Sequence, residues 1–369
     1  MDVTWCSRSS RVPSRCAPTW PGDERTLVDD VLDGLTRPLE ELASKAPEPP
    51  HPGADLAIAG LRLLELYTNP TSFSRCRRPA APEHGGGPYS GLMSGEPAYF
   101  FGHSAQETRR LRLQAEILGG ATRRMLDEAG IGAGMRVLDI RTGAGDVALD
   151  AARLVGPSGS VVGVDANPQL IALARERAAA AGLSCVEFVV DDLTAYVPPA
   201  PLDALVGRCV LFFLADPSVQ LARLAAYVRP GGAVAFQEPG NAAMAPATAA
   251  AAPTFARMWG WILGVYERAG LDMQMGLRLH RVFVDAGLPA PRMHLDAAAS
   301  GAPDWPGFEY MAGLVRTLLP RIAALGIATE DEIDVDGLAD RLRAEAAATG
   351  CAVTTWSFVT AWAARTLPA

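Results

Sequence analysis

Val137-Leu138-Asp139-Ile140-Arg141-Thr142-Gly143-Ala144-Gly145-Asp146 is the stretch whose reading decides the fold. Val137, Leu138 and Ile140 read as a short buried strand, the glycines demand a tight turn, and Val147 to Leu154 follows at helical spacing. Strand, turn and helix start bring backbone N–H groups and the positive end of a helix dipole to one spot, which suits a phosphate or a carboxylate. A second apolar run, Val161-Val162-Gly163-Val164, ends on Asp165, where an acid accepts hydrogen bonds from ribose hydroxyls. On these residues the ligand is nucleotide-like.

Two ligand classes share the pattern. Gly143, Gly145 and Ala148, with Asp165 at about the expected distance, fit the dinucleotide fingerprint and would make the chain an NAD(P)-dependent oxidoreductase. Asp139 speaks against it. A dinucleotide site keeps that place apolar, whereas an acid suits a ligand with an ammonium group. Downstream, Val186 to Leu193 reads as a third strand ending in the acids Asp191 and Asp192, and Leu202 to Val206 as a fourth. Arg229-Pro230-Gly231-Gly232 reads as the turn into a fifth, Ala233 to Glu238.

With these landmarks the chain resembles the class I S-adenosylmethionine-dependent methyltransferases, in particular the ubiquinone/menaquinone-type small-molecule branch, from about Glu96 to Ala369. The resemblance implies an α/β fold: a Rossmann-like, doubly wound seven-stranded sheet with its last strand antiparallel. Pro291 to Asp296 would be the sixth strand and Ala352 to Ala361 the seventh. It also implies S-adenosylmethionine as cofactor and assigns roles. Asp139 would order the glycine loop and meet the methionine ammonium. Gly143, Ala144 and Gly145 would let the backbone approach the cofactor. Asp165, with Ala166 beside it, would hold the ribose. Asp192, with Leu193, would meet the adenine amino group, and Asp191 competes for that role. Arg208 would either meet the methionine carboxylate or form a structural ion pair. Arg141 departs from the family's loop, where a glycine is usual. It would pair with the cofactor carboxylate, point away, or block the site and leave a methyltransferase-like binding or regulatory protein without activity. For a hydroxyl or phenol acceptor, Glu238, His103 and His280 are the candidate general bases.

Composition narrows the partners. The chain has 369 residues, net charge −8 and a pI near 5.3, with Lys45 as its one lysine. An acidic chain without a basic stripe argues against nucleic acid as a partner. Six scattered cysteines without a C-x-x-C pair, and five histidines without ligand spacing, point to reduced thiols and no metal site. The start lacks a signal pattern and no apolar run is long enough to span a bilayer, so a cytoplasmic enzyme acting on a small molecule is expected.

The organisation follows. Residues 1–95 differ in composition and read as a helical or disordered extension. Residues 96–369 read as the methyltransferase domain, with lid helices at 96–130, a cofactor-binding core at 131–240, and helical substrate-cap insertions at 241–276 and 303–350. Tyr99, His103, Glu107, Arg110 and Gln114 are the polar and aromatic residues of the lid segment. Met258, Trp259, Trp261, Ile262, Val265, Tyr266, Met311, Leu314, Leu318 and Leu319 of the insertions would roof a pocket for an apolar or aromatic substrate.

Overall fold

The computed structural model describes residues 105–240 and 252–366, with side chains from residue 109 onward. The extension at 1–95, His103 and Tyr99, the side chain of Glu107 and residues 241–251 of the first insertion lie outside them.

The strands are β1 (Arg136–Ile140), β2 (Ser160–Asp165), β3 (Val186–Val190), β4 (Leu202–Arg208), β5 (Val228–Pro239), β6 (Arg292–Ser300) and β7 (Val353–Ala364). They form one seven-stranded sheet in the order β3-β2-β1-β4-β5-β7-β6. All pairs from β3 to β5 are parallel, and β7 runs antiparallel to both β5 and β6. The doubly wound sheet with one reversed strand is therefore as expected. Strand order changes direction between β1 and β4, and a doubly wound sheet opens its ligand crevice at that switch point, beyond the carboxyl ends of the strands.

Alternation along the strands sorts side chains to two cores. Val137, Ala204, Val206 and Ala235 face α1 (Ala105–Glu128), α2 (Asp146–Val155) and α3 (Pro168–Ala180). Leu138, Ile140, Leu205, Val234 and Phe236 face α4 (Pro217–Ala225) and α6 (Met275–Asp285). Helix α3 starts where Asn167 Oδ1 accepts the N–H groups of Gln169 and Leu170 at 2.9 and 3.1 Å, with Pro168 at the first position.

The Arg-Pro-Gly-Gly sequence does not precede β5 as a turn. Leu202 pairs with Val228 and Ala204 with Ala233, so residues 229–232 bulge within the strand. Gly231 there has φ 76, a conformation glycine adopts freely. β6 also continues past Asp296, because β7 pairs with it as far as Ser300.

The remaining helices form a cap. They are α5 (Pro253–Arg268), α7 (Gly307–Ala324), α8 (Glu330–Ile333) and α9 (Leu338–Thr349). The cap has a core of its own, in which Phe255, Met258, Trp259, Ile262, Met311, Leu318 and Leu342 pack with Trp356 and Phe358 of β7. Helix α1 is tied to the sheet edge by His294, which lies 2.8 Å from Glu128 and 2.6 Å from Asp296.

Candidate active site

The loop after β1 is built on three left-handed residues, Arg141 (φ 50), Gly143 (φ 55) and Gly145 (φ 83). Their environments differ. A Cβ on Gly145 would stand 2.8 Å from Phe188 and 3.1 Å from Ala174, so this glycine serves close packing of the loop on α3 and β3. A Cβ on Gly143 would meet nothing within 4 Å, because this residue faces an open cradle. The loop is pinned by Thr142 N–H donating to Val164 O at 3.0 Å and Gly143 N–H donating to Asp165 Oδ2 at 3.0 Å. The other oxygen of Asp165 accepts from Asn167 N–H at 2.9 Å.

Beneath the loop Asp139 is only 1% exposed, and the Thr142 hydroxyl donates to its Oδ2 at 2.6 Å. Burial pushes its pKa up to about 7, against the opposing pull of that hydroxyl and of the Arg208 guanidinium. Arg208 is held by Asp146 Oδ2 at 2.8 Å and by Thr122 Oγ1 of α1 at 2.7 Å, while Arg177 takes the other oxygen of Asp146 at 2.7 Å. Of the two roles considered for Arg208, the structural ion pair is present. The missing glycine at 141 leaves an arginine in a glycine conformation, with its guanidinium 4.4 Å over the Phe213 ring.

These residues line one cavity. Asp139, Arg141, Thr142, Gly143, Ala144, Asp146, Asp165 and Arg208 supply polar lining. Phe212, Phe213, Pro239, Tyr266, Met273, Leu314, Trp356 and Phe358 supply apolar and aromatic lining. Arg110, Leu111, Gln114, Val147, Cys209 and Tyr310 complete the wall.

Not every expected residue reaches it. Asp192 and Ala166 are exposed, Leu193 is buried among apolar neighbours, and none of the three lines the cavity. Asp192 stays on the same edge of the sheet, since Asp191 N–H donates to Asp165 O at 3.1 Å. The Thr194 N–H and hydroxyl bind its carboxylate and hold its pKa below the usual range. His280 is exposed on α6, away from the cavity. Glu238 is fully buried and turned inward, where it accepts from the N–H groups of Val210 at 2.9 Å, Leu211 at 2.8 Å and Phe212 at 3.4 Å. It is an anchor for the turn after β4, with no path to a substrate. Most of the expected roof also points elsewhere. Met258, Trp259, Ile262, Val265, Met311 and Leu318 fill the cap's own core, Trp261 and Leu319 pack against that core, and Tyr266 and Leu314 alone of the ten line the cavity.

Other lining residues escaped the sequence reading. Asp146 had a signal, being an acid in the first turn of a helix. Trp356 and Phe358 had none, because their positions depend on how β7 pairs with β5 and β6; Met273, in the connection between α5 and α6, carries no local pattern either.

Residues 131–287 match the family model described as a methyltransferase domain. That match covers less than half of the chain, and over it the chain is similar to a methyltransferase domain. Among curated relatives, aklanonic acid methyltransferase DauC of Streptomyces sp. (strain C5) is 36% identical over 129 residues, 35% of this chain and 59% of that protein. Trans-aconitate 2-methyltransferase of Azoarcus sp. (strain BH72) is 36% identical over 23% of this chain and 32% of that protein. The ubiquinone/menaquinone biosynthesis C-methyltransferase UbiE of Pseudomonas fluorescens (strain Pf0-1) is 28% identical over 49% of this chain and 78% of that protein. The match therefore spans less than two thirds of the first two relatives. A solved SAM-dependent methyltransferase from Aquifex aeolicus is 20% identical, with 47% of this chain and 80% of that chain covered and a TM-score of 0.35. Among the described residues, no helix is long and apolar enough to cross a membrane.

The anchoring role of Glu238 has a pH signature. Burial pushes its pKa up to about 7, against the opposing pull of the three backbone N–H groups. A buried acid with a raised pKa contributes stability that is full below its unfolded value, near 4.5, and is lost as pH rises towards 7. The loss is on the order of 3 kcal/mol. Glu238→Gln keeps an oxygen acceptor but cannot ionise. Urea melts at pH 5 and pH 8 should therefore show a smaller pH-dependent loss in this variant than in the wild type. Glu238→Ala strands three buried donors and should cost about 3 kcal/mol or more at either pH.

Proposed function

We propose that the protein transfers a methyl group from S-adenosylmethionine to a small, apolar or aromatic molecule. The observation that carries this reading is one cavity lined by two chemically different sets of residues, the acids and glycines at the strand switch point and the aromatics of the cap and β7. The relatives support it by name, since aklanonic acid and trans-aconitate are small molecules.

The residues fit the cofactor on this structure's own terms. The open side of Gly143 leaves room for a ligand against the backbone, and Asp139 is a buried carboxylate awaiting a positive partner. Asp139 receives the ammonium group. Each oxygen of Asp165 has accepted one N–H and keeps a second lone pair for a ribose hydroxyl. Asp192, beside it on the sheet edge though outside the cavity lining, accepts from the adenine amino group. Arg141 serves the methionine carboxylate as a charge-assisted donor.

The bound cofactor supplies an activated methyl group on sulfur and its own leaving group. The chain's part is alignment and the exclusion of water. Tyr266, Trp356 and Phe358 shape the acceptor's place; Tyr266 and Trp356 are fixed edge to face at 5.5 Å. The segments 241–276 and 303–350 act as the substrate cap, in part through the core that holds these aromatics rigid.

Isothermal titration tests the reading. S-adenosylmethionine and S-adenosylhomocysteine should bind with micromolar affinity, and NAD should not compete. No binding at millimolar cofactor would overturn it.

A further inference from the structure

Arg141 stands where the loop would take a glycine, and a long side chain in that place needs something to aim it. The turn after β4 supplies it. Cys209 enters the turn in a left-handed conformation (φ 58), with its N–H donating to Gln237 O at 2.9 Å. Glu238, next along β5, accepts from the N–H groups of Val210 at 2.9 Å, Leu211 at 2.8 Å and Phe212 at 3.4 Å. Phe213 N–H then donates to Val210 O at 3.2 Å and closes the turn. The turn is thus fixed from β5, and it delivers Phe213 to the cavity wall with its ring 3.9 Å from that of Phe212.

The Arg141 guanidinium lies 4.4 Å over the Phe213 ring, and both residues are half-buried in the cavity lining. Attraction between a cation and a ring face grows as water is excluded. It acts through the flat face, so it fixes the side chain without requiring the in-plane N–H donors that pair with a carboxylate. A side chain already held in place pays less ordering entropy when its ligand arrives. The charge of Arg141 acts on Asp192 at the sheet edge and on Cys209 and Glu238 at the turn, so the guanidinium serves the stretch between them. Arg208, the other arginine considered for the carboxylate, is held by Asp146 and Thr122.

We propose that Phe213, on the turn that Glu238 anchors, is a positioning residue that aims Arg141 at the carboxylate of the cofactor. This rests on the methyltransferase reading and on the role given there to Arg141.

The test compares two ligands that differ in one group. S-adenosylhomocysteine carries the carboxylate, and its decarboxylated form lacks it while keeping the ammonium for Asp139. In isothermal titration the wild type should bind S-adenosylhomocysteine at least about tenfold more tightly. Phe213→Leu keeps an apolar side chain without a ring face. It should lower that ratio at least about threefold while changing the affinity of the decarboxylated ligand less than about twofold. Phe213→Tyr should restore the ratio. Arg141→Gly should abolish it, and adding Phe213→Leu to Arg141→Gly should lower it no further. A merely structural role for Phe213 would weaken both ligands alike, and that result overturns the proposal. So does equal binding of the two ligands to the wild type, or an Arg141→Gly variant that keeps the preference, since the carboxylate then has another partner. Should Phe213→Leu not fold, Phe213→Met makes the same comparison. Failure of either ligand to bind the wild type at all would mark the methyltransferase reading itself as the fault.

Discussion

Gly145→Ala should destabilise the protein by about 2–5 kcal/mol, and the loss should divide into two separable parts. At φ 83 any residue with a Cβ pays roughly 1–2 kcal/mol for the left-handed backbone. The new Cβ would also stand 2.8 Å from Phe188, a ring that is itself 3% exposed and held in the core behind α2 and α3. Overpacking of that kind costs about 1–3 kcal/mol. In a domain of this size each kcal/mol lowers Tm by roughly 2–4 °C, so the shift is large enough to read in a melt. Placing the same change in a Phe188→Leu background should recover the packing part and leave the backbone part, giving a coupling that a double-mutant cycle measures. Gly143→Ala makes the contrast. It shares the backbone penalty (φ 55) but meets no neighbour within 4 Å, so its melting loss should be smaller. Its methyl group enters the cradle, so S-adenosylhomocysteine affinity should fall well beyond what the melt implies. If Gly145→Ala melted within 1–2 °C of wild type, the loop could not be packed as described.

The contrast between these two glycines shows how far the sequence could be read. Strand, turn, helix and acid are local signals, and Asp139, Gly143 and Asp165 were recognisable because their chemistry is set within a few residues. That Gly145 serves packing while Gly143 faces an open cradle depends on what surrounds each, and the neighbour that decides it for Gly145, Phe188, is more than forty residues away in the chain. Glu238 illustrates the opposite error. An acid at the end of a strand has the address of a catalyst, but the turn after β4 folds its own N–H groups onto the carboxylate and uses it up. The cap misled in a similar way. Helical spacing in α5 and α7 marks an apolar face without saying what it faces, and most of that face packs on another helix of the cap. Trp356 and Phe358 reach the cavity only through the pairing of β7 with β5 and β6, a long-range register that no local pattern encodes.

Asp139→Asn should weaken S-adenosylmethionine binding at pH 8 by at least about 100-fold, the effect expected when one partner of a buried charge pair is removed. The pH dependence makes the test specific. With a pKa pushed up to about 7, Asp139 is largely protonated at pH 6 in the free protein, and an ammonium group binds the ionised form. Wild-type affinity should therefore rise about tenfold per pH unit below pH 7 and level off above it, with a proton released on binding. The asparagine variant should bind weakly and show no such slope. Stability should move the other way. Because the folded pKa lies above the ordinary value of 3.8, the free wild type loses stability as pH rises from near 4 towards 7, on the order of 4 kcal/mol in all. Asp139→Asn escapes that cost and should melt higher than wild type at pH 8 without cofactor. Glu238 ionises over a similar range but does not line the cavity, so it contributes to the pH dependence of melting and not to that of affinity. A variant that both binds weakly and melts higher would identify Asp139 as a carboxylate kept buried, at a cost in stability, to receive a cation. If the asparagine variant kept the wild-type slope in affinity, that role would belong to another group.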